Sequence, residues 1–240
     1  MNETVGTLYV VATPIGNVED LTPRALRVLT ESPVLACEDT RHTGVLLARL
    51  GVPHGDRRFI AYHDVNEHRQ APVLLDLLRR GNDIALVSNA GTPLISDPGY
   101  RVVSMARAEG IAVIPVPGPC AAIAALSASG LPSDRFTFFG FLPVKSGRRE
   151  RILRSVGDAT GTAIFYVPAR SLAKFLPEIA AIHPAARVVI ARELTKVFEE
   201  YIVGTAAQCL EKIGERTLKG EVTMLVCARD LGEGKEPTGE

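Results

Sequence analysis

The sequence predicts an α/β protein with two lobes, and three observations support this prediction. Short β-branched and apolar runs alternate with helical patterns through the first half, which is typical of βαβ units and a parallel sheet. Past Gly118 the alternation loosens, and two apolar runs stand too close together for a crossover helix, so the second sheet should be mixed. The chain has 240 residues, enough for two compact lobes. We therefore predict an N-terminal lobe over 1–117, a C-terminal lobe over 118–231 and a frayed tail over 232–240.

Five short apolar runs bounded by turn residues predict the strands of the N-terminal lobe: Thr7–Ala12, Val34–Cys37, Phe59–Tyr62, Ile84–Ser88 and Ile111–Pro115. Because Ile84–Ser88 begins with four consecutive apolar residues, we expect it at the centre of the sheet. Apolar residues at helical spacing predict the intervening helices, from Pro23 to about Thr30 and over Thr43–Leu50, Ala71–Arg80 and Tyr100–Glu109. Thr22 is the expected N-cap of the first helix, and a glycine ends each of the others.

The C-terminal lobe is predicted to open with a helix of small residues, Ala121–Ser129, that ends at Gly130. Its predicted strands are Phe136–Phe141, Thr162–Val167, Arg187–Arg192, Glu199–Val203 and Glu221–Cys227, with helices between several of them. The third and fourth of these strands are too close in sequence for a crossover, so we expect them to pair antiparallel.

The composition excludes several classes of protein. Lys and Arg together number 27, as do Asp and Glu, which argues against nucleic-acid binding by a whole-surface positive field but leaves a local basic patch open. The four cysteines form no C-x-x-C pair and the five histidines show no ligand spacing, so we expect no metal. The N-terminus lacks a signal-peptide pattern, and the uncharged run Ile111–Ser133 is interrupted by prolines and a glycine. We therefore expect a cytoplasmic protein with no membrane partner.

Three of the first-lobe strands end in loops rich in glycine and proline: Thr13–Asn17, Ser88–Pro93 and Val116–Cys120. Ligands of open parallel sheets bind at the carboxyl ends of strands, although each loop alone could be ordinary turn chemistry. Gly91 and Gly118 allow a ligand close to the backbone. Neither G-x-G-x-x-G nor G-x-x-x-x-G-K-[ST] occurs, which weakens NAD, FAD and ATP as ligands. A nucleoside without phosphate, such as S-adenosylmethionine, stays possible.

Six segments resemble the family of ribosomal RNA small subunit methyltransferase I, within the tetrapyrrole (corrin/porphyrin) methylase superfamily: LYVVATPIGN from Leu8, EDTRH from Glu38, ALVSNAGTPLISDPG from Ala85, ALSASGLP from Ala125, GFLP from Gly140 and ARELTK from Ala191. The resemblance runs from about Gly6 to Val226. It implies two unlike lobes, a homodimer and S-adenosylmethionine bound in a cleft between the lobes. It also implies 2′-O-methylation of a cytidine in small-subunit (16S) ribosomal RNA, either as naked RNA or in the assembled subunit.

The resemblance also implies a set of cofactor contacts: Pro14, Asn89, Ala90, Gly91, Thr92, Ser96, Cys120, Ala121 and Tyr166. The sequence departs from the family pattern at three places. Asn89 stands where the family usually has Asp, and Cys120 where it usually has Ser. Val167–Ser171 replaces the usual Glu-Ser-Pro-His-Arg, which puts in doubt any substrate contact made there.

Transfer of a methyl group from a sulfonium is an in-line displacement that requires no metal, and a base near the ribose hydroxyl would help it. Six residues are candidates for such a base: Glu38, Asp39, His63, Glu67, Asp97 and Glu193. We favour Glu38 or Asp39, with Arg41 on a flanking phosphate, because this cluster follows the second strand at the edge that bears the loops. The alternative is a helix N-cap cluster in which Asp39 or Thr40 caps.

For RNA, the best patch is Lys145–Arg154, within which Lys145, Arg148 and Arg149 are the predicted contacts. Arg192 and Lys196 are second candidates, and a solvated helix face is the alternative interpretation of the patch. Two other functions stay open. One is methylation of a tetrapyrrole or a diphthine precursor, and the other is a non-catalytic assembly factor that binds S-adenosylmethionine or RNA.

Overall fold

The structure, a computed structural model, describes residues 5–157 and 161–228. The chain divides into two compact units, Met1–Cys120 and Ala121–Glu240. The lobe boundary that the sequence predicts, between residues 117 and 118, lies three residues before this division. The predicted tail over 232–240 lies outside the described residues.

The first unit contains a five-stranded sheet in the order β3-β2-β4-β1-β5, in which every neighbouring pair is parallel. The α/β class with a parallel first sheet is therefore confirmed. β4 is fully buried at the centre of the sheet, as its four consecutive apolar residues predict. The strands are β1 (Leu8–Val11), β2 (Val34–Cys37), β3 (Arg58–Ala61), β4 (Ile84–Val87) and β5 (Val113–Val116).

Four α-helices connect these strands: α1 (Pro23–Glu31), α2 (Thr40–Arg49), α3 (Glu67–Arg79) and α4 (Tyr100–Ala108). Thr22 caps α1 by accepting a hydrogen bond from the backbone N–H of Ala25, as predicted. Two helices begin earlier than the apolar spacing indicates. α2 starts at Thr40 because Asp39 caps it, and α3 starts at Glu67 and includes Pro72 in its second turn. Polar first turns do not show the apolar period from which the helices were predicted.

Both faces of the first sheet are covered by helices. Val34 and Ala36 of β2 pack on one face with side chains of α3 and α4, while Leu35 and Cys37 pack on the other face with α1 and α2. Because helices cover both faces of the sheet, its strands are mostly apolar. The polar side chains concentrate at the ends of the strands.

The second unit contains a mixed sheet in the order β6-β7-β10-β8-β9. β6 and β7 are parallel and the other neighbours are antiparallel, including the predicted pair β8 and β9. The strands are β6 (Phe136–Phe141), β7 (Thr162–Pro168), β8 (Arg187–Arg192), β9 (Glu200–Thr205) and β10 (Glu221–Cys227). The helices are α5 (Ala121–Ser127), α6 (Ser146–Ser155), α7 (Leu172–Ile182) and α8 (Ala206–Ile213).

The main core of the second unit lies between its sheet and the helices α6, α7 and α8. Phe165 of β7, Val188 of β8 and Met224 of β10 are fully buried there. Within residues 5–157 and 161–228, none of the helices is long and apolar enough to cross a bilayer.

Candidate functional site

The three predicted loops lie at one edge of the first sheet, and hydrogen bonds join them. Thr13, which follows β1, and Gly91, which follows β4, exchange two backbone hydrogen bonds of 2.9 and 3.0 Å. The Thr92 hydroxyl donates to the Pro119 carbonyl of the β5 loop at 2.9 Å. The edge is therefore one connected surface of backbone groups. The sequence places Thr13 and Pro119 in the predicted loops but assigns neither residue a contact.

Two glycines allow the loops to approach one another. Gly91 has a φ of 77°, and a Cβ there would lie 3.3 Å from Cγ2 of Ile15. A Cβ on Gly118 would lie 2.9 Å from the Cβ of Ala12, closer than real Cβ contacts come. Both glycines are thus required by loop packing within the protein, in addition to any contact with a ligand.

Asn89 holds an unusual position at the end of β4. Its backbone N–H donates to Oε2 of Glu38 at 3.0 Å, so a side chain after β2 fixes the loop after β4. Its own Oδ1 is buried and has no hydrogen-bond partner among the described residues. A buried acceptor without a donor is costly in a folded protein and frequently marks the place of a ligand.

The carboxyl groups near this edge differ in their titration. Burial raises the pKa of Asp97 to about 6; the Ser88 hydroxyl opposes this rise, and the charges of Glu38 and Asp64 add to it. Asp97 is one of the six candidate bases. In the sequence it directly precedes Pro98 and Gly99, in the segment that follows β4, and this position indicates that it lies at the loop edge. A half-buried carboxyl with a pKa near neutrality is a candidate functional group.

Asp39 has the opposite environment, because it caps α2. The backbone N–H groups of Arg41 and His42 both donate to its Oδ1, and these bonds hold the pKa of Asp39 below its usual value. The N-cap alternative for this cluster is therefore what the structure shows, and a carboxylate with a lowered pKa is a weak base. Arg41 is exposed next to it.

His63 and Glu67 take structural positions at the start of α3. The backbone N–H of His63 donates to the side chain of Asn66, and Glu67 lies 3.7 Å from Arg101. The Tyr62 hydroxyl also contacts Glu67 at 3.5 Å. Both residues are therefore engaged within the first unit.

The other predicted cofactor contacts are accessible on their own units. In the first unit, Ala90 and Ser96 are exposed, Pro14 and Cys120 are half-buried, and Ser96 has a φ of 68°. In the second unit, Ala121 opens α5 and Tyr166 lies half-buried on β7 between the rings of Phe138 and Phe141. Their contacts with a cofactor stay a prediction.

Arg149, predicted to contact RNA, is instead a buried structural residue, so this prediction is wrong. Its side chain is 0% exposed and forms two hydrogen bonds of 2.6 Å with Glu178 of α7. It also donates to the carbonyls of Pro143 and Val144 and lies 4.8 Å above the Phe175 ring. The guanidinium is fully buried, so a phosphate cannot reach it. Arg149 lies four residues before the buried Leu153, so helical spacing places both on the buried face of α6. The sequence prediction used the number of basic residues in the segment and not this spacing.

Arg192 and Lys196, the second candidates for RNA, are also engaged within the protein. Lys196 bridges Glu193 and Glu221 at 3.0 and 2.8 Å, and Arg192 pairs with Glu200 at 3.1 Å. Burial by itself would raise the pKa of Glu193, but the backbone N–H of Glu221 and the ammonium of Lys196 hold the pKa of that carboxyl below its usual value. These pairs fix the turn between β8 and β9.

Lys145 and Arg148 are exposed at the start of α6, so these two predicted RNA contacts are accessible. Neither side chain forms an ion pair with any of the residues that the structure describes.

The loop edge of the first unit fits S-adenosylmethionine, the cofactor that the resemblance implies. The orphaned Oδ1 of Asn89 is an acceptor that the ammonium, amino or hydroxyl groups of this cofactor could satisfy. The joined loops offer backbone groups, and the sequence lacks the glycine-rich motifs that bind phosphate. Within the described parts of the chain, no group of three His, Cys, Asp or Glu side chains could hold a metal ion.

Curated proteins similar to this chain are methyltransferases. Ribosomal RNA small subunit methyltransferase I of Escherichia coli O157:H7 is 49% identical over 224 residues, which cover 92% of this chain and 77% of that protein. The protein of the same name from Pseudomonas aeruginosa is 45% identical over 237 residues, covering 98% and 83%.

Solved structures share the fold at low identity. Diphthine synthase superposes with a TM-score of 0.70 at 14% identity, covering 95% of this chain and 92% of that chain. Uroporphyrin-III C-methyl transferase from Thermus thermophilus, complexed with S-adenyl homocysteine, superposes with a TM-score of 0.60 at 20% identity, covering 92% and 97%. The model of the tetrapyrrole (corrin/porphyrin) methylases matches residues 7–209. The resemblance noted in the sequence is thus confirmed, and the chain belongs to the tetrapyrrole (corrin/porphyrin) methylase family.

Proposed function

We propose that this chain transfers a methyl group from S-adenosylmethionine to the 2′-hydroxyl of a cytidine in small-subunit (16S) ribosomal RNA. The observation that supports this most is the identity of 49% to ribosomal RNA small subunit methyltransferase I over 92% of the chain. That stretch is long enough to include both the joined loops of the first unit and most of the second. In addition, the proposal includes the homodimer that the resemblance implies and a cytoplasmic location.

When bound, S-adenosylmethionine supplies a methyl group that its sulfonium already activates. The residues proposed to hold it are Pro14, Asn89, Ala90, Gly91, Thr92, Ser96, Cys120, Ala121 and Tyr166. Asn89 would accept a hydrogen bond through its orphaned Oδ1, and the fixed loops would hold the reacting groups in line. Orientation of this kind can supply much of the rate enhancement of a displacement.

The three residues proposed for catalysis, Glu38, Asp39 and Arg41, have distinct roles in this proposal. Glu38 positions the Asn89 loop through its hydrogen bond of 3.0 Å. Asp39 fixes the start of α2, and its lowered pKa makes it a poor proton acceptor. Asp97, with a pKa of about 6, is better suited to accept the proton of the ribose hydroxyl. Arg41 is exposed and is assigned to a flanking phosphate.

A transfer experiment tests this function. The protein is incubated with S-adenosylmethionine labelled with tritium in the methyl group and with one of three acceptors: small subunits from a strain without this activity, naked 16S ribosomal RNA, or uroporphyrinogen III. We expect label in the RNA, at a cytidine ribose when the modified nucleotide is mapped. Label in the tetrapyrrole alone would make this chain a small-molecule methylase, and cofactor binding without transfer would make it an assembly factor.

A further inference from the structure

Three aromatic rings form a cluster on one face of the second sheet. Phe138 and Phe141 of β6 lie edge-on to Tyr166 of β7, with ring centroids 5.0 and 5.6 Å away. β6 is an edge strand, so the cluster lies at the border of the sheet. Phe141 is 62% exposed, although large aromatic side chains are usually well buried.

A β-bulge creates this arrangement. Side chains alternate between faces along a strand, so residues three apart, such as Phe138 and Phe141, normally point to opposite faces. The register between β6 and β7 shifts between Phe138 and Gly140, where Gly140 adopts a φ of 68°. Phe138 then pairs with Ile164 and Phe141 with Tyr166, two residues on the same face. Bulges that redirect a side chain are common next to functional sites.

Positive charge follows the cluster directly. Lys145 lies four residues after Phe141 and is the N-cap residue of α6, and Arg148 and Arg151 follow on the helix three residues apart, where side chains are neighbours. All three are exposed, and none forms an ion pair with a described residue. Val144, 84% exposed, lies between the rings and these charges.

The buried Arg149 fixes the segment that joins the rings to the charges. Its guanidinium donates to the carbonyls of Pro143 and Val144 at 2.9 and 2.6 Å, and Glu178 holds it from α7. These hydrogen bonds tie the connection between β6 and α6 to the core of the second unit. An aromatic ring and two cations on a fixed segment form a preorganised surface.

We propose that Phe141, Lys145 and Arg148 form a binding surface for an unpaired stretch of the RNA substrate, with a base stacked on Phe141 and phosphates at Lys145 and Arg148. Stacking of bases on exposed aromatic rings next to basic side chains is how proteins hold single-stranded nucleic acid. A second copy of this chain fits the surface poorly, because a symmetric contact would bring the same positive charges together. The inference rests on the proposed function and names where that substrate is held.

Binding of unmethylated small subunits to the full chain tests the surface, and calorimetry measures cofactor affinity in parallel. We expect Phe141→Ala to weaken subunit binding roughly tenfold, Phe141→Trp to retain it and Phe136→Ala, at the other end of β6, to leave it unchanged. In a plot of log affinity against log salt concentration, Lys145→Gln and Arg148→Gln should each make the negative slope shallower by about one.

The outcomes separate this inference from the proposed function. If the wild type binds and methylates subunits but Phe141→Ala binds equally well, the surface is wrong and the function stands. Equal losses of cofactor and subunit affinity in Phe141→Ala would also overturn the inference, because the ring would then only support Tyr166. If Phe141→Ala binds small subunits normally but sediments as a monomer while the wild type sediments as a dimer, the surface is a contact with a second copy of the chain. A wild type without RNA binding would overturn both proposals.

Discussion

Two polar groups at the loop edge of the first sheet differ from three basic residues of the second unit in how fully other side chains satisfy them. At the loop edge, the Asn89 Oδ1 is buried with no hydrogen-bond partner among the described residues, and burial raises the pKa of Asp97 to about 6. In the second unit, Arg149, Arg192 and Lys196 are each paired with a carboxylate. Unsatisfied groups cost stability and persist where a ligand uses them, whereas paired groups serve the fold. A count of charges in the sequence cannot distinguish these two uses.

The largest expected effect comes from removing one of the ion pairs of the second unit. Arg149→Glu should lower the free energy of unfolding by about 3–5 kcal/mol, because it leaves Glu178 without its cation and buries a second negative charge. Arg148→Glu, one residue away but exposed, should change it by less than about 0.5 kcal/mol. Urea unfolding followed by circular dichroism measures both variants. Similar stabilities would show that Arg149 is accessible after all.

The next effect concerns the loop edge and the role of Glu38. Glu38→Ala should weaken cofactor binding roughly tenfold or more, because it removes a charge-assisted hydrogen bond that holds Asn89. Glu38→Gln keeps an acceptor oxygen and should bind and turn over within about threefold of the wild type. If Glu38 were instead the base, Glu38→Gln would bind the cofactor normally and lose about 10²–10⁴-fold in single-turnover rate. Calorimetry and rapid-quench kinetics distinguish the two roles.

A smaller effect tests how tightly the loops pack. Gly118→Ala places a Cβ 2.9 Å from that of Ala12 and should cost about 1–3 kcal/mol of stability while weakening cofactor binding. Gly44→Ala is the matched control, since nothing lies within 4 Å of its Cβ position in α2, and it should stabilise the protein by about 0.5–1 kcal/mol. Thermal unfolding with and without S-adenosylmethionine gives both quantities. Unchanged stability and cofactor affinity in Gly118→Ala would show that the loops can move apart to admit a Cβ at this position.

The smallest effect is the pH dependence of Asp97. Because its pKa rises from 3.8 to about 6 on folding, the folded state binds more protons between these values, and its contribution to stability falls as pH rises through this window. Asp97→Asn should therefore match the wild type near pH 4 and exceed its stability by about 1 kcal/mol at pH 7, since water screens a half-buried carboxyl. Unfolding curves at both pH values measure this. A variant less stable than the wild type at pH 7 would show that the charged carboxylate is well paired.

Much of the fold follows from local pattern. β2, β6, β8 and β10 have the bounds that the apolar runs predict, because short β-branched runs between turn residues have few other ways to bury their side chains. The helix starts at Thr40 and Glu67 were predicted several residues late, since polar caps lack the apolar period. The loops were predicted at one edge because parallel strands all point the same way.

The sequence by itself determined the two-lobed α/β class, the loop edge and the family. Only the tertiary structure decided which polar groups are available. Arg149 meets Glu178 across 29 residues, and Glu38 meets Asn89 across 51, so neither pairing has a local pattern. Availability depends on desolvation and on long-range partners, and both are fixed when the elements pack. The motif Gly140–Pro143 can likewise be recognised in the sequence. Only the bulge in the folded sheet shows that Phe141 is exposed beside Tyr166.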